Sequence, residues 1–227
     1  MICVDELGMR TLELLAYGID YEIHMRNKTT ARQPGRPRSF DVDQALDCAV
    51  QVFRQKGYEG ASLSDLTGAM GINRPSLYAA FGDKQSLFRQ VLDRYTGQLL
   101  DSLQPAMQEK TARRFGERLL RTAAELLTDP HNPPGCLTVT GALAGGEESE
   151  PIRKELICRR AQVESLIAQR LKRAKREGEL PADAKPADLA RYVATVMQGM
   201  TVQASAGVSR AELQRVVDTA LRAWPTK

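Results

Sequence analysis

From Asp41 onward the apolar residues recur at helical spacing, and no segment alternates as a strand would. Leu46, Ala49, Val50 and Phe53 fall on one face of a first helix, and Gly57 is placed to stop it, because glycine takes the left-handed closing conformation without a Cβ penalty. Ser62, with Asp65 three residues on, predicts the cap of a short second helix that buries Leu66, Ala69 and Met70 and ends at Gly71. Asn73 then caps a third helix with Leu77 and Phe81 facing inward. Pro75 falls in its first turn, where amides have no intrahelical partner.

Beyond Lys84 the pattern is that of a helical bundle. Leu87, Phe88, Val91, Leu92, Tyr95, Leu99 and Leu103 predict a long fourth helix, and Phe115, Leu119, Ala123, Leu126 and Leu127 a fifth that Asp129-Pro130 stops. The run His131-Asn132-Pro133-Pro134-Gly135 is a break, with a short sixth helix expected near Cys136. Gly141, Gly145 and Gly146 follow no strand and precede acids, so they read as a turn or close packing rather than a phosphate loop. Pro151 opens a seventh helix with Ile152, Leu156, Val163, Ile167, Leu171 and Ala174 inward. Its other faces are charged, and Arg170, Lys172, Arg173, Lys175 and Arg176 sit near its C-terminal end, where cations complement the macrodipole.

Pro186 starts an eighth helix, and the capping box Ser209-Arg210-Ala211-Glu212 starts a ninth that carries Val216 and Trp224 among its apolar positions. The eighth is apolar around more of its circumference than one core face requires. Val193, Met197 and Met200, with Leu213, Val217 and Leu221 of the ninth, are therefore candidates for a four-helix contact between two copies of the chain, burial in the protomer's own core being the alternative. The expected fold is all-α with about nine helices: an extension and arm over 1–40, a three-helix domain over 41–86, and a helical body over 87–227 reached through the long fourth helix.

Composition narrows the function. Of 227 residues, 42% are hydrophobic and 26% charged, the balance of an ordinary globular protein. No apolar run approaches the roughly 20 residues of a membrane span, and the N-terminus is acidic where a signal peptide is basic, so no membrane partner and a cytoplasmic location are expected. The four cysteines lack paired-ligand spacing and are expected to be free thiols. His24 and His131 are the whole imidazole supply, and neither lies in a catalytic or ligand pattern. No enzymatic activity, cofactor or metal site is expected.

Charge is segregated. Residues 1–25 carry one base against five acids, whereas 26–40 carry Arg26, Lys28, Arg32, Arg36 and Arg38 with no acid. Pro34-Gly35-Arg36-Pro37 cannot continue a helix, so this stretch is either a solvated linker or an extended arm following a phosphate backbone or minor groove, with Arg36 and Arg38 its candidate contacts. Residues 1–24 precede Met25-Arg26-Asn27-Lys28, which would serve as a start, and a start upstream of the natural one and a true extension both stay open.

A third helix followed across a glycine turn from a second is the arrangement of a helix-turn-helix, whose second short helix suits the DNA major groove. The run from Ala45 to Leu92 closely resembles the N-terminal domain of TetR-family transcriptional regulators. Lys56-Gly57-Tyr58, Ser62-Leu63-Ser64-Asp65-Leu66, Gly71-Ile72 and above all Leu77-Tyr78-Ala79-Ala80-Phe81-Gly82-Asp83-Lys84 carry the resemblance. It implies that Arg74, Pro75 and Ser76 read bases, that Tyr78 lies against sugar-phosphate, that Lys84 meets a phosphate at a helix start, and that Ser62 with nearby amides forms a second phosphate clamp. It further implies a homodimer on double-stranded operator DNA, most simply a repressor, released by a small-molecule effector held within helices four to eight. Phe115, Leu119, Cys136 and Thr138 are the candidate lining residues. A thiol-based oxidant or electrophile sensor using Cys136, and a non-sensing architectural DNA binder, are the alternatives on the same scaffold. A cysteine at a helix start can be a reactive thiol, although free cysteine is more often a small buried hydrophobe.

Overall fold

The computed structural model describes residues 40–140 and 149–225. The basic arm with Arg36 and Arg38, the acidic segment and the glycines at 141, 145 and 146 lie outside the described residues. Nine helices and no strand occur among those described. They are α1 (Val42–Gly60), α2 (Leu63–Met70), α3 (Arg74–Phe81), α4 (Lys84–Met107), α5 (Ala112–Leu127), α6 (Leu137–Thr140), α7 (Glu150–Arg176), α8 (Pro186–Ser205) and α9 (Arg210–Arg222).

The helix boundaries follow the residues that predict them. Gly57 breaks α1 with φ 68°, so the regular helix ends there and a last turn runs on to Gly60. Gly71 closes α2 in the left-handed region, and the expected capping boxes form at Ser62 and Ser209. In the head, Ala49, Phe53, Leu66, Leu77, Phe81, Leu87 and Phe88 are buried together, whereas Ala69 is exposed, because the two turns of α2 offer only Leu66 and Met70 to the core. Phe53, Tyr58 and Phe88 form an aromatic cluster, with Phe53 and Phe88 edge to face at 4.8 Å between centroids.

From Val42 the chain forms one compact unit. Arg94 of α4 ties α1 down, donating to both carboxylate oxygens of Asp47 at 2.7 Å and to Asp43 at 2.9 Å. In the body α5 is the central helix, buried along Phe115, Leu119, Leu120 and Ala123, with α8 and α9 packed against it. Gly116 lets Trp224 reach the α5 backbone, since a Cβ there would stand 2.3 Å from the indole ring. Tyr192 closes the α8–α9 pair by donating to the Ala220 carbonyl at 3.1 Å.

Two sequence expectations are corrected here. Arg170 does not belong to the charged outer face of α7: it is 4% exposed, donates to the Glu109 carbonyl at 2.9 Å, and lies 5.5 Å from the Phe115 ring centroid. The Glu179 carboxylate, 3.6 Å away, pairs the charge, so the buried guanidinium has an anion, a carbonyl and an aromatic face in place of water. Of the residues assigned to contact a second copy, Val193, Met200, Leu213, Val217 and Leu221 are all at most 4% exposed within a single protomer. The protomer's own core already covers them, so a partner has no access to them. The most apolar stripe of α8 and α9 is the one turned toward α5.

Candidate functional site

Two features of the unit could carry function: the outer face of α3 and a cavity in the body. Asn73 caps α3 by accepting from the Ser76 amide at 2.9 Å, and Pro75 lies in the first turn. With Leu77 and Phe81 buried, the helix has a fixed inner face, and Arg74, Pro75, Tyr78 and Ala79 are exposed on its outside, Ser76 half-buried beside them. Tyr78 is 49% exposed, an unusual position for an aromatic side chain that has core available next to it. The leading end of α3 thus offers a guanidinium, small residues and a phenol, with no acidic residue in its first turn.

Lys84 is the first residue of α4, after the cap Asp83, whose carboxylate accepts from the Ser86 amide at 2.7 Å. Its ammonium lies 4.6 Å from the centre of the Tyr58 ring, and burial lowers its pKa. The aromatic face holds the cation in place at the helix start. Ser62 is arranged differently from the clamp expected of it. Its hydroxyl donates to Asp65 at 2.7 Å and its oxygen accepts from the Asp65 amide at 3.0 Å, so it is committed to the cap. Lys56, 2.6 Å from the same carboxylate, together with Ser62, holds the Asp65 carboxyl at about 2, which keeps a full negative charge beside Ser62 at neutral pH.

The cavity, of about 80 Å³, lies between α4, α5, α7, α8 and the segment running into α6. Cys136 and Thr138 line it, and their sulfur and hydroxyl are 3.2 Å apart. Phe115 and Leu119 do not line it; both are packed into the core. Helical period identifies the inward face of α5 but not which part of that face meets a gap. Met197, assigned to the contact between copies, is a wall residue instead. The polar part of the wall consists of Tyr95, Thr138, Arg160, Gln198 and Thr201, and no carboxylate is among the lining residues. Tyr95 stood among the inward residues of the fourth helix in the sequence; Arg160, Gln198 and Thr201 had no pattern to mark them. Burial pushes the Tyr95 hydroxyl well above its usual range, and nearby Cys136 adds to this. Burial also lowers Arg160, which donates to the Thr138 carbonyl. Among the described residues no group of His, Cys, Asp and Glu could hold a metal, and no helix is long and apolar enough to cross a membrane. Cys48, Cys136 and Cys158 are free thiols.

Comparison with known proteins places this geometry. Residues 45–91 match the family model of bacterial regulatory proteins of the tetR family, and residues 117–220 match a tetracyclin repressor-like C-terminal domain. The transcriptional repressor ComR of Escherichia coli K12 is 35% identical over 193 residues, covering 84% of this chain and 92% of its own. The repressor BdcR of the same organism is 39% identical over 120 residues, 52% of this chain and 60% of its own. Among solved structures, a cysteine mutant of the TetR family regulator CifR, complexed with 26-bp double-strand operator DNA, is 45% identical with a TM-score of 0.81, covering 84% of this chain and all of that one. With these matches over both the head and the body, the chain belongs to the TetR family of DNA-binding transcriptional regulators.

Proposed function

We propose that the protein is a dimeric repressor that reads an operator through α3 and leaves it when a small molecule fills the body cavity. The observation that carries this reading is the course of α4. It begins at Lys84, directly after the recognition helix, and contributes Tyr95 and Leu99 to the cavity wall. A ligand that binds better when these side chains are displaced favours a different setting of the head. Two heads fit successive major grooves only at a spacing of about 34 to 36 Å, so a change in setting is a change in affinity. Its relatives ComR and BdcR are repressors, which supports the sign of the effect.

Base readout by Arg74 and backbone anchoring by Lys84 have different signatures. Arg74→Ala is expected to cost about 1 to 3 kcal/mol on the operator and to relax preference at one position per half-site, whereas Lys84→Ala weakens all sequences alike and flattens the salt dependence. Titrations on operator and scrambled duplexes across salt concentrations distinguish the two. Equal loss on both duplexes for Arg74→Ala would remove it from the base-reading role.

A second reading is favoured by the position of Cys136, whose sulfur lines the cavity within reach of Thr138 and near Arg160. In it, the cavity is gated by oxidation or alkylation of the thiol. Operator release by a mild oxidant is then expected in the wild type and not in Cys136→Ser. Identical release curves would leave reversible ligand binding as the mechanism.

A further inference from the structure

Arg54 lies on α1, in the head, yet its partners lie in the body. One guanidinium nitrogen donates to the Asn132 side-chain carbonyl at 2.7 Å, and the other to the Pro133 carbonyl at 2.7 Å and, more weakly, to that of Gly135 at 3.4 Å. Its central carbon lies 5.6 Å from the centre of the Tyr95 ring. The turn it grips is braced. Asp129 accepts from the His131 amide at 3.0 Å and from the Asn132 side chain at 2.7 Å, and the Gly135 amide donates to the Leu127 carbonyl at 3.2 Å. Gln51, one turn earlier on α1, also donates to Asn132 at 3.2 Å. Tyr95, Gly135 and Cys136 are all wall residues of the cavity. One side chain of the head therefore touches two separate parts of that wall, α4 through the Tyr95 ring and the approach to α6 through backbone carbonyls.

We propose that Arg54 is the coupling residue of the switch, the side chain through which a change in the cavity wall is felt by α1 and a change in α1 is felt by the wall. This rests on the reading above that the cavity gates DNA binding. The planar fork of arginine satisfies two acceptors while its face covers a ring, which lysine cannot reproduce. Hydrogen bonds weaken steeply once their geometry is lost, so a ligand that displaces Tyr95 or the Gly135 carbonyl releases the grip. Linkage makes the effect reciprocal: DNA that fixes the head must change the cavity's ligand affinity by the same coupling free energy, and the reactivity of Cys136 reports the accompanying change in its wall.

The reciprocal direction needs no knowledge of the effector. Initial rates of alkylation by N-ethylmaleimide are measured at Cys136 by peptide mass spectrometry on the full chain, free and saturated with a duplex selected for tight binding from a random pool. Cys158 on α7 is the internal reference. DNA is expected to change the Cys136 rate about fivefold or more in the wild type and less than about twofold in Arg54→Ala. Asn132→Ala, which removes an acceptor from the other side, is expected to reduce the change as well and serves where Arg54→Ala fails to fold. If Arg54 were merely structural, its loss would lower the melting temperature and leave the ratio of bound to free rates at the wild-type value; that result overturns the proposal. A wild type that binds the duplex with no change at Cys136 overturns it too, while leaving operator binding intact. If no duplex is selected, the operator reading itself fails and the coupling falls with it.

Discussion

Val217→Asp is expected to unfold the protomer. Val217 is fully buried in the cluster that α9 forms with α5 and α8, together with Leu213, Ala220, Leu221 and Trp224. A carboxylate placed there has no partner cation in the cluster, and an uncompensated buried charge costs about 3 to 5 kcal/mol. That is a large part of the roughly 5 to 15 kcal/mol that holds a typical domain together. Thermal melting followed by circular dichroism is expected to show a loss of about 6 to 20 °C or no folded state at all. Val216→Asp, at the neighbouring position, is 43% exposed and serves as the control. Its melting temperature is expected to fall far less than that of Val217→Asp, because any loss there comes from the proposed contact between copies and not from a charge buried in the core. A folded, wild-type-like Val217→Asp protein would mean that α9 is not packed as described.

The contrast between these neighbours shows what helical period can and cannot resolve. It brings Val216 and Val217 to notice together as apolar residues of one helix, yet they differ by about 100° around its axis and end on opposite sides of the burial boundary. The caps were legible because their chemistry is local: Ser62 with Asp65, Asn73 with Ser76 and Ser209 with Glu212 each lie within one turn. At Ser62 the same hydroxyl that completes the cap is the one the family resemblance assigns to a phosphate, and the local pattern shows only the first role. Arg170 was misplaced for the opposite reason. Its partners, the Glu109 carbonyl, the Phe115 ring and the Glu179 carboxylate beyond the end of α7, are brought to it by the folding of the chain, and no spacing rule on α7 predicts them.

The outer face of α3 was readable from Asn73 to Phe81 because exposed and buried positions alternate there with the helix, and the family resemblance supplied roles to match. The cavity was only half readable. Cys136 and Thr138 stood out beside the proline-rich break, but a gap between five packed segments is a property of how their side chains fail to fill space. Arg160 and Gln198 look like ordinary surface residues of α7 and α8 until those helices are placed around the cavity. The Arg54 contacts are illegible for the same reason, since Asn132, Pro133 and Gly135 look like loop residues with no claim on the first helix.

The second large effect concerns assembly. In the proposed dimer a second copy is expected to meet the outward faces of α8 and α9, where Val202 and Val216 are 49% and 43% exposed. Dimer formation matters for operator binding because a single α3 of eight residues reaches few base edges, and joining two heads makes the second contact effectively intramolecular. The double variant Val202→Glu, Val216→Glu places like charges on the proposed contact and leaves the core untouched. It is expected to keep wild-type helicity, to sediment as a monomer, and to lose operator affinity by about 10² to 10⁴. Non-specific binding to scrambled DNA should fall much less, because the phosphate contacts of each head remain. Sedimentation velocity on wild type and variant, beside titrations on both duplexes, tests each part. A variant that stays dimeric would move the contact to another face, and a variant that is monomeric yet binds the operator as tightly as the wild type would show that one head is sufficient.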